Sequence, residues 1–197
     1  MIKTRNIWKD NPILFNSLLR DTYDKFVEKL FDYSSLINIT NIKNESLLHY
    51  SCFYGIIDKY YALVNMGAKV QETIEKNNLL HYASLSGNDD FLIVELIKLG
   101  ISPVEENLYG QTSLHFSKNE RICHYLNLWC LRNNVNITHL QDNMQNTVAH
   151  YSCSIRNKES THYWVKNYEN IKMIKNMDEL LFNEVIKQDY PQFCLLK

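Results

Sequence analysis

The sequence predicts an all-α solenoid of about four full repeats, closed at each end by degenerate capping helices. Three observations predict it. One phrase recurs, as Ser46-Leu47-Leu48-His49-Tyr50-Ser51, Asn78-Leu79-Leu80-His81-Tyr82-Ala83, Thr112-Ser113-Leu114-His115-Phe116-Ser117 and Thr147-Val148-Ala149-His150-Tyr151-Ser152. Its histidines stand 32, 34 and 35 residues apart, and a period in the low thirties marks stacked supersecondary units. Between the phrases, apolar residues return at helical spacing, and Gly67 and Gly100 stand where a helix should close. Finally, 5 Gly and 3 Pro in 197 residues argue against a loop-rich or disordered chain.

Taken in order, residues 1–40 read as an N-terminal cap. Asn11-Pro12 has the form of an N-cap followed by proline at the first helical position, with Ile13, Leu14, Leu18 and Leu19 as an apolar stripe. Asp21 is placed to cap a second helix carrying Tyr23, Phe26, Val27, Leu30 and Phe31. Repeat one, 41–72, has a first helix from Ser46 to Gly55 and a second from Asp58 to Asn65. Repeat two, 73–106, has Gly87 between its helices and Asp89-Asp90 favouring the N-terminus of the second.

Repeat three, 107–141, keeps Gly110 and Thr112 but has Arg121 in place of the inter-helix glycine, while Asn134 takes the closing position of Gly100. Repeat four, 142–173, drifts after Cys153 and offers Tyr163, Trp164 and Val165 as a helical core. Residues 174–197 are expected to form a C-terminal cap, with a helix from Met177 to Asp189 carrying Leu180, Leu181, Val185 and Ile186, and Pro191 beyond its end.

Composition excludes some classes of function. Hydrophobic content of 45% and charged content of 22% are ordinary for a folded domain. A net charge of −1 exerts no pull toward nucleic acid or an anionic membrane, and no basic run or RNA-type aromatic motif appears. No signal peptide or membrane span is visible near the start, so a cytoplasmic location is expected. Five cysteines without a CxxC pair fit reduced thiols. The Asn, Ile, Lys and Tyr bias points to an AT-rich coding genome.

In each phrase a polar cap residue precedes two mostly apolar residues, a histidine, an aromatic and a small residue. The pattern resembles the ankyrin repeat, Thr-Pro-Leu-His followed by any residue and then Ala. The resemblance covers roughly 36–170 well and the ends weakly, and suggests a small stand-alone protein of bacterial type. Leu47, Leu79, Ser113 and Val148 stand where the family has proline, so the first helices are expected to start less crisply.

The resemblance implies antiparallel helix pairs whose loop tips and first helices form a concave binding face. The family's variable positions lie seven, six and four residues before the histidine and four and five after it. They fall on Ile42, Lys43, Glu45, Phe53 and Tyr54, then on Ile74, Glu75, Asn77, Leu85 and Ser86. In the third repeat they are Leu108, Tyr109, Gln111, Asn119 and Glu120, and in the fourth Asn143, Met144, Asn146, Ser154 and Ile155. Phe53-Tyr54, Leu85, Tyr109 and Met144 put large groups where a solenoid is otherwise polar, the kind of anchor interfaces use.

The recurring histidines are better read as fasteners than as chemistry, since an imidazole there links a capping hydroxyl to nearby backbone. Among His115, Cys123, His124 and Cys130, the two cysteines sit two helical turns apart, too far to chelate one zinc without further ligands. No phosphate loop, nucleophile elbow or paired-carboxylate motif appears, so neither enzyme activity nor a cofactor is expected.

The expected function is non-enzymatic protein binding that modulates or inhibits a partner, as in an immunity protein that blocks a bacterial toxin. The alternatives are a secreted effector engaging a host protein, for which the tail Phe193-Cys194-Leu195-Leu196 is a weak cue, and a small-molecule or enzymatic site in the fourth repeat around His162, Tyr163 and Trp164.

Overall fold

A computed structural model describes residues 13–185. Asn11-Pro12, the chain from Ile186 to Asp189, Pro191 and the tail Phe193-Leu196 lie outside them. The described residues form nine α-helices joined by turns and short 3-10 segments, with no strand beyond isolated bridges.

The first two helices, α1 (Ile13–Arg20) and α2 (Tyr23–Asp32), bury Leu14, Leu18, Phe26 and Leu30. Asp21 does not cap α2. The N-cap residue is Thr22, and the Asp21 carboxylate instead accepts from Ser17 Oγ and Lys29 Nζ, both at 2.6 Å. A cation eight residues away competes better for that carboxylate than the exposed amides of the next turn.

Repeat one supplies α3 (Leu47–Tyr54) and α4 (Ile57–Asn65), and repeat two α5 (Leu79–Ser86) and α6 (Asp90–Lys98). Both first helices open at a polar N-cap, Ser46 or Asn78, in extended backbone. They start cleanly without the family's proline because the cap residue and the histidine three positions on satisfy each other's polar groups in a capping box. Both close on a left-handed glycine. At Gly55 (φ +65°) an added Cβ would lie 2.7 Å from Cβ of Asn88, so position 55 is closed to side chains by space as well as by backbone. Arg156 holds the equivalent place in repeat four with φ +57°, at a steric cost glycine avoids.

Repeat three departs from expectation. Residues 113–116 form turns rather than an α-helix, closed by bonds to the third residue back: His115 N to Thr112 O, Phe116 N to Ser113 O and Ser117 N to Leu114 O. Four residues separate His115 from the next helix, against eight after His81, a deficit of about one helical turn. Arg121 therefore does not replace a hinge glycine. It lies in the first turn of α7 (Glu120–Arg132), which Asn119 caps through Ile122 N at 3.0 Å.

Repeat four supplies α8 (Val148–Ser154) and α9 (Lys158–Asn167). Helix α3 packs on α5, α4 on α3, α6 on α5, α7 on α6, and α9 on both α7 and α8. One cluster runs through the helices, from Leu18 through Leu48, Leu80 and Leu126 to Trp164.

The expected helix from Met177 is absent over the described residues. Asn176 to Leu180 forms a hairpin turn instead, closed by Asn176 N to Leu180 O at 3.0 Å, with Glu179 at φ +61°. The Asn176 side chain accepts from Asp178 N and Leu180 N, and this local bonding competes with helix. Leu181 N then donates to Glu184 Oε2 at 2.8 Å, so Glu184, 34 residues after His150, takes the histidine's place at the start of a fifth unit.

Candidate functional site

Each unit begins with a finger: Asn41 to Glu45, Thr73 to Asn77, Asn107 to Gln111, Asp142 to Asn146 and Asn176 to Leu180. The first residue organises the loop. Oδ1 of Asn41, Asn107, Asp142 and Asn176 accepts the backbone N–H groups two and four residues on, and Thr73 Oγ1 accepts from Asn77 N. Backbone bonds of 2.9 Å join neighbouring fingers: Ile74 N to Lys43 O, Leu108 N to Glu75 O, Asn143 N to Tyr109 O and Met177 N to Met144 O. The tips therefore form a continuous row of fixed spacing.

Behind the fingers stands the histidine ladder. Nδ1 of His49, His81, His115 and His150 accepts the N–H of the residue three positions before it at 3.0 to 3.2 Å. An amide can only donate, so at His49, His115 and His150 Nδ1 is bare and the ring proton sits on Nε2, while His81 Nδ1 also lies 2.7 Å from the Asn78 side-chain oxygen. In three of the four the second ring nitrogen bonds to the next finger: His81 to Gln111 O, His115 to Asn146 O and His150 to Leu180 O. The aromatic after each histidine lies edge-on to the preceding one, as Tyr82 to His49 and Phe116 to His81. Burial holds His49 and His81 at about 4 and lowers His115 and His150.

The anticipated face residues divide into three groups. Ile42, Ile74 and Leu108 are 52%, 63% and 50% exposed on successive tips, and Asn143 continues the row. Met177, 55% exposed on the fifth tip, belongs to it and was missed, although Asn176 before it repeats the finger's opening. Tyr54 and Glu120 are also exposed, Glu120 at the start of α7 and away from the fingers.

Lys43, Glu75, Tyr109, Met144, Phe53 and Leu85 are half-buried. Leu85 packs against Phe116 and Tyr151, and Phe53 lies edge-on to Tyr54 at 5.2 Å.

Glu45, Asn77, Gln111 and Asn146 are buried, which corrects their place on the face. Each ends its finger where the chain turns inward. Asn77 Oδ1 accepts from Asn107, Asn146 Oδ1 from Asn176, and Gln111 Oε1 from Asn107. The Glu45 carboxylate, 2% exposed, accepts from Asn41 Nδ2 (2.5 Å), Tyr50 Oη (2.9 Å) and Tyr82 Oη (2.6 Å). Burial, then Glu45, pushes both phenols upward. Tyr82→Phe is expected to cost about 2 kcal/mol, the value of a buried hydrogen bond to a charged acceptor. Urea denaturation checks this, and a cost under half that size would show that Glu45 finds another donor.

Other candidate residues separate. Burial pushes the Cys123 and Cys130 thiols up to about 11, and His124 is exposed on α7 while His115 is buried. Among the described residues no three His, Cys, Asp or Glu side chains converge as a metal would require, and no helix is long and apolar enough to cross a membrane. In repeat four, Cys153, Arg156, Lys158, Thr161, His162, Val165 and Phe182 line a largely apolar cavity of about 570 Å3. Tyr163 and Trp164 are buried elsewhere in the core. No protein-family model matches the chain, and no curated protein matches it.

Proposed function

We propose that the chain is a non-enzymatic protein-binding module of the ankyrin-repeat type, which modulates or inhibits a partner by occupying its surface. The observation that supports this reading is the row of aliphatic side chains on the finger tips, Ile42, Ile74, Leu108 and Met177, each at least half exposed. Exposed aliphatics scattered singly are ordinary. Four at the same place in five successive units, with Asn143 on the fourth tip, held in line by tip-to-tip backbone bonds, make a patch that favours a partner. The ladder behind it fixes the tips before binding, so little ordering cost falls on the complex.

The triple variant Ile42→Ser, Ile74→Ser, Leu108→Ser tests the reading by affinity capture against the native chain, each bound protein then being titrated. Loss of a tenfold or greater share of affinity is expected if these are interface anchors, with unfolding within about 0.5 kcal/mol of native because the sites are exposed. Partners that bind the triple variant as well as the native chain would sink the finger-tip reading.

The cavity in repeat four favours a second reading, a site for a small apolar ligand. Val165→Trp fills that cavity without touching the fingers, so a ligand lost there and a protein lost with the tip variant are separable results.

A further inference from the structure

On the side of the second helices, away from the fingers, Asp90, Glu120, Arg121, His124, Tyr125 and Tyr163 line a cleft of about 390 Å3. Asp90 opens α6, and the next four belong to the first turns of α7. Glu120 with His124, and Arg121 with Tyr125, stand four apart and are neighbours on the helix surface. Tyr163 comes across from α9. Its hydroxyl accepts from Asn127 Nδ2 at 3.1 Å and lies 3.4 Å from His124 Nδ1. The His124 ring stands edge-on to both tyrosines, with centroids 6.1 Å from Tyr125 and 6.5 Å from Tyr163. One wall of the cleft is therefore fixed by a hydrogen-bonded side chain of the core.

The cleft already draws in a guanidinium, and holds it loosely. Arg121 Nη1 is 3.9 Å from Asp90 Oδ2, the outer limit of an ion pair, and its side chain is 80% exposed. A pair of that kind contributes little, so a better-placed cation displaces it easily. Two carboxylates against one guanidinium leave one negative charge in excess, and two tyrosines share the lining with them.

We propose that this cleft binds an arginine side chain presented by a partner protein, with Arg121 acting as the chain's own competitor for Asp90 and Glu120. Arginine suits the cleft better than lysine, because a planar guanidinium bonds a carboxylate bidentately while stacking on tyrosine. None of the six lining residues belongs to a finger, so this site stands or falls independently of the tip row.

The test titrates N-acetyl-arginine amide into the full chain, follows amide and tyrosine NMR signals, and uses N-acetyl-glutamine amide as the uncharged comparator. Shifts are expected at His124, Tyr125 and Tyr163. Arg121→Ala should bind the probe about threefold to tenfold more tightly, and Glu120→Gln more weakly by a similar factor. Both positions are exposed, and the spectra report whether each variant keeps the native fold. Unchanged or weaker binding by Arg121→Ala, or equal binding of the comparator, overturns the proposal.

Discussion

Lowering the pH from 7 to 5 is expected to cost the folded protein about 4 kcal/mol through His49 and His81 alone. Both imidazoles are held at about 4 in the fold, against 6.5 for a free histidine, with burial as the largest cause. The geometry agrees in sign. His49 Nδ1 faces the N–H of Ser46, so a proton placed there meets a donor and breaks the bond that starts the helix.

A group held below its free value stabilises the fold above pH 6.5 and loses that contribution as pH falls toward the folded value. At pH 5 each unfolded imidazole gains about 2 kcal/mol from a proton that the folded one does not take up. His115 and His150 are lowered too and add to the loss. Domains of this size carry roughly 5–15 kcal/mol in all, so acid removes much of the margin. Urea denaturation at intervals of half a pH unit should show stability falling by about 2–3 kcal/mol per unit near pH 5.5. A flat profile between pH 7 and 5 would mean that the ladder accepts protons in place.

Lys59→Met is expected to destabilise the protein by about 2–4 kcal/mol, the cost of leaving two buried carbonyls without the charged donor that satisfies them. Lys59 is 6% exposed, and its ammonium donates to the carbonyls of Ser17 (3.1 Å), Leu18 (2.7 Å) and Asp21 (2.7 Å) while lying 5.2 Å from the Phe26 ring. It therefore satisfies carbonyls left open where α1 ends and fastens the first helix pair to α4. Burial lowers its amine below the usual lysine value. Methionine keeps the stem's packing and orphans the carbonyls of Leu18 and Asp21, while Ser17 O keeps its bond from Asp21 N, so the loss reports the hydrogen bonds rather than volume. Hydrogen exchange should show residues 13–32 losing protection first. A cost below about 1 kcal/mol would mean that water replaces the ammonium at the helix end.

Much of the fold was legible because it is written locally. Ser46 and His49, Asn78 and His81, and Thr147 and His150 carry a helix start within four residues, and Gly55 and Gly87 mark its close by a backbone shape few other residues adopt. The exposed tips followed too, since Ile42, Ile74 and Leu108 keep one distance from their histidines. The misses have another character. Asp21 reads as a cap until Lys29 folds back on it. Leu180, Leu181 and Val185 have helical spacing, but Asn176 bonds its own loop first. Glu45 looks like a rim charge, and only the neighbouring unit shows that it is buried beneath Tyr82.

The sequence by itself determined the period, the starts of α3, α5 and α8 and the place of each histidine, because those depend on residues within one turn of each other. Tertiary structure decided which finger residues face outward, how the shortened third repeat keeps its place without a first α-helix, and where a buried lysine finds three carbonyls. These depend on contacts between units some thirty or more residues apart, made by pairs such as Lys59 and Leu18 or Tyr82 and Glu45, which no local pattern encodes.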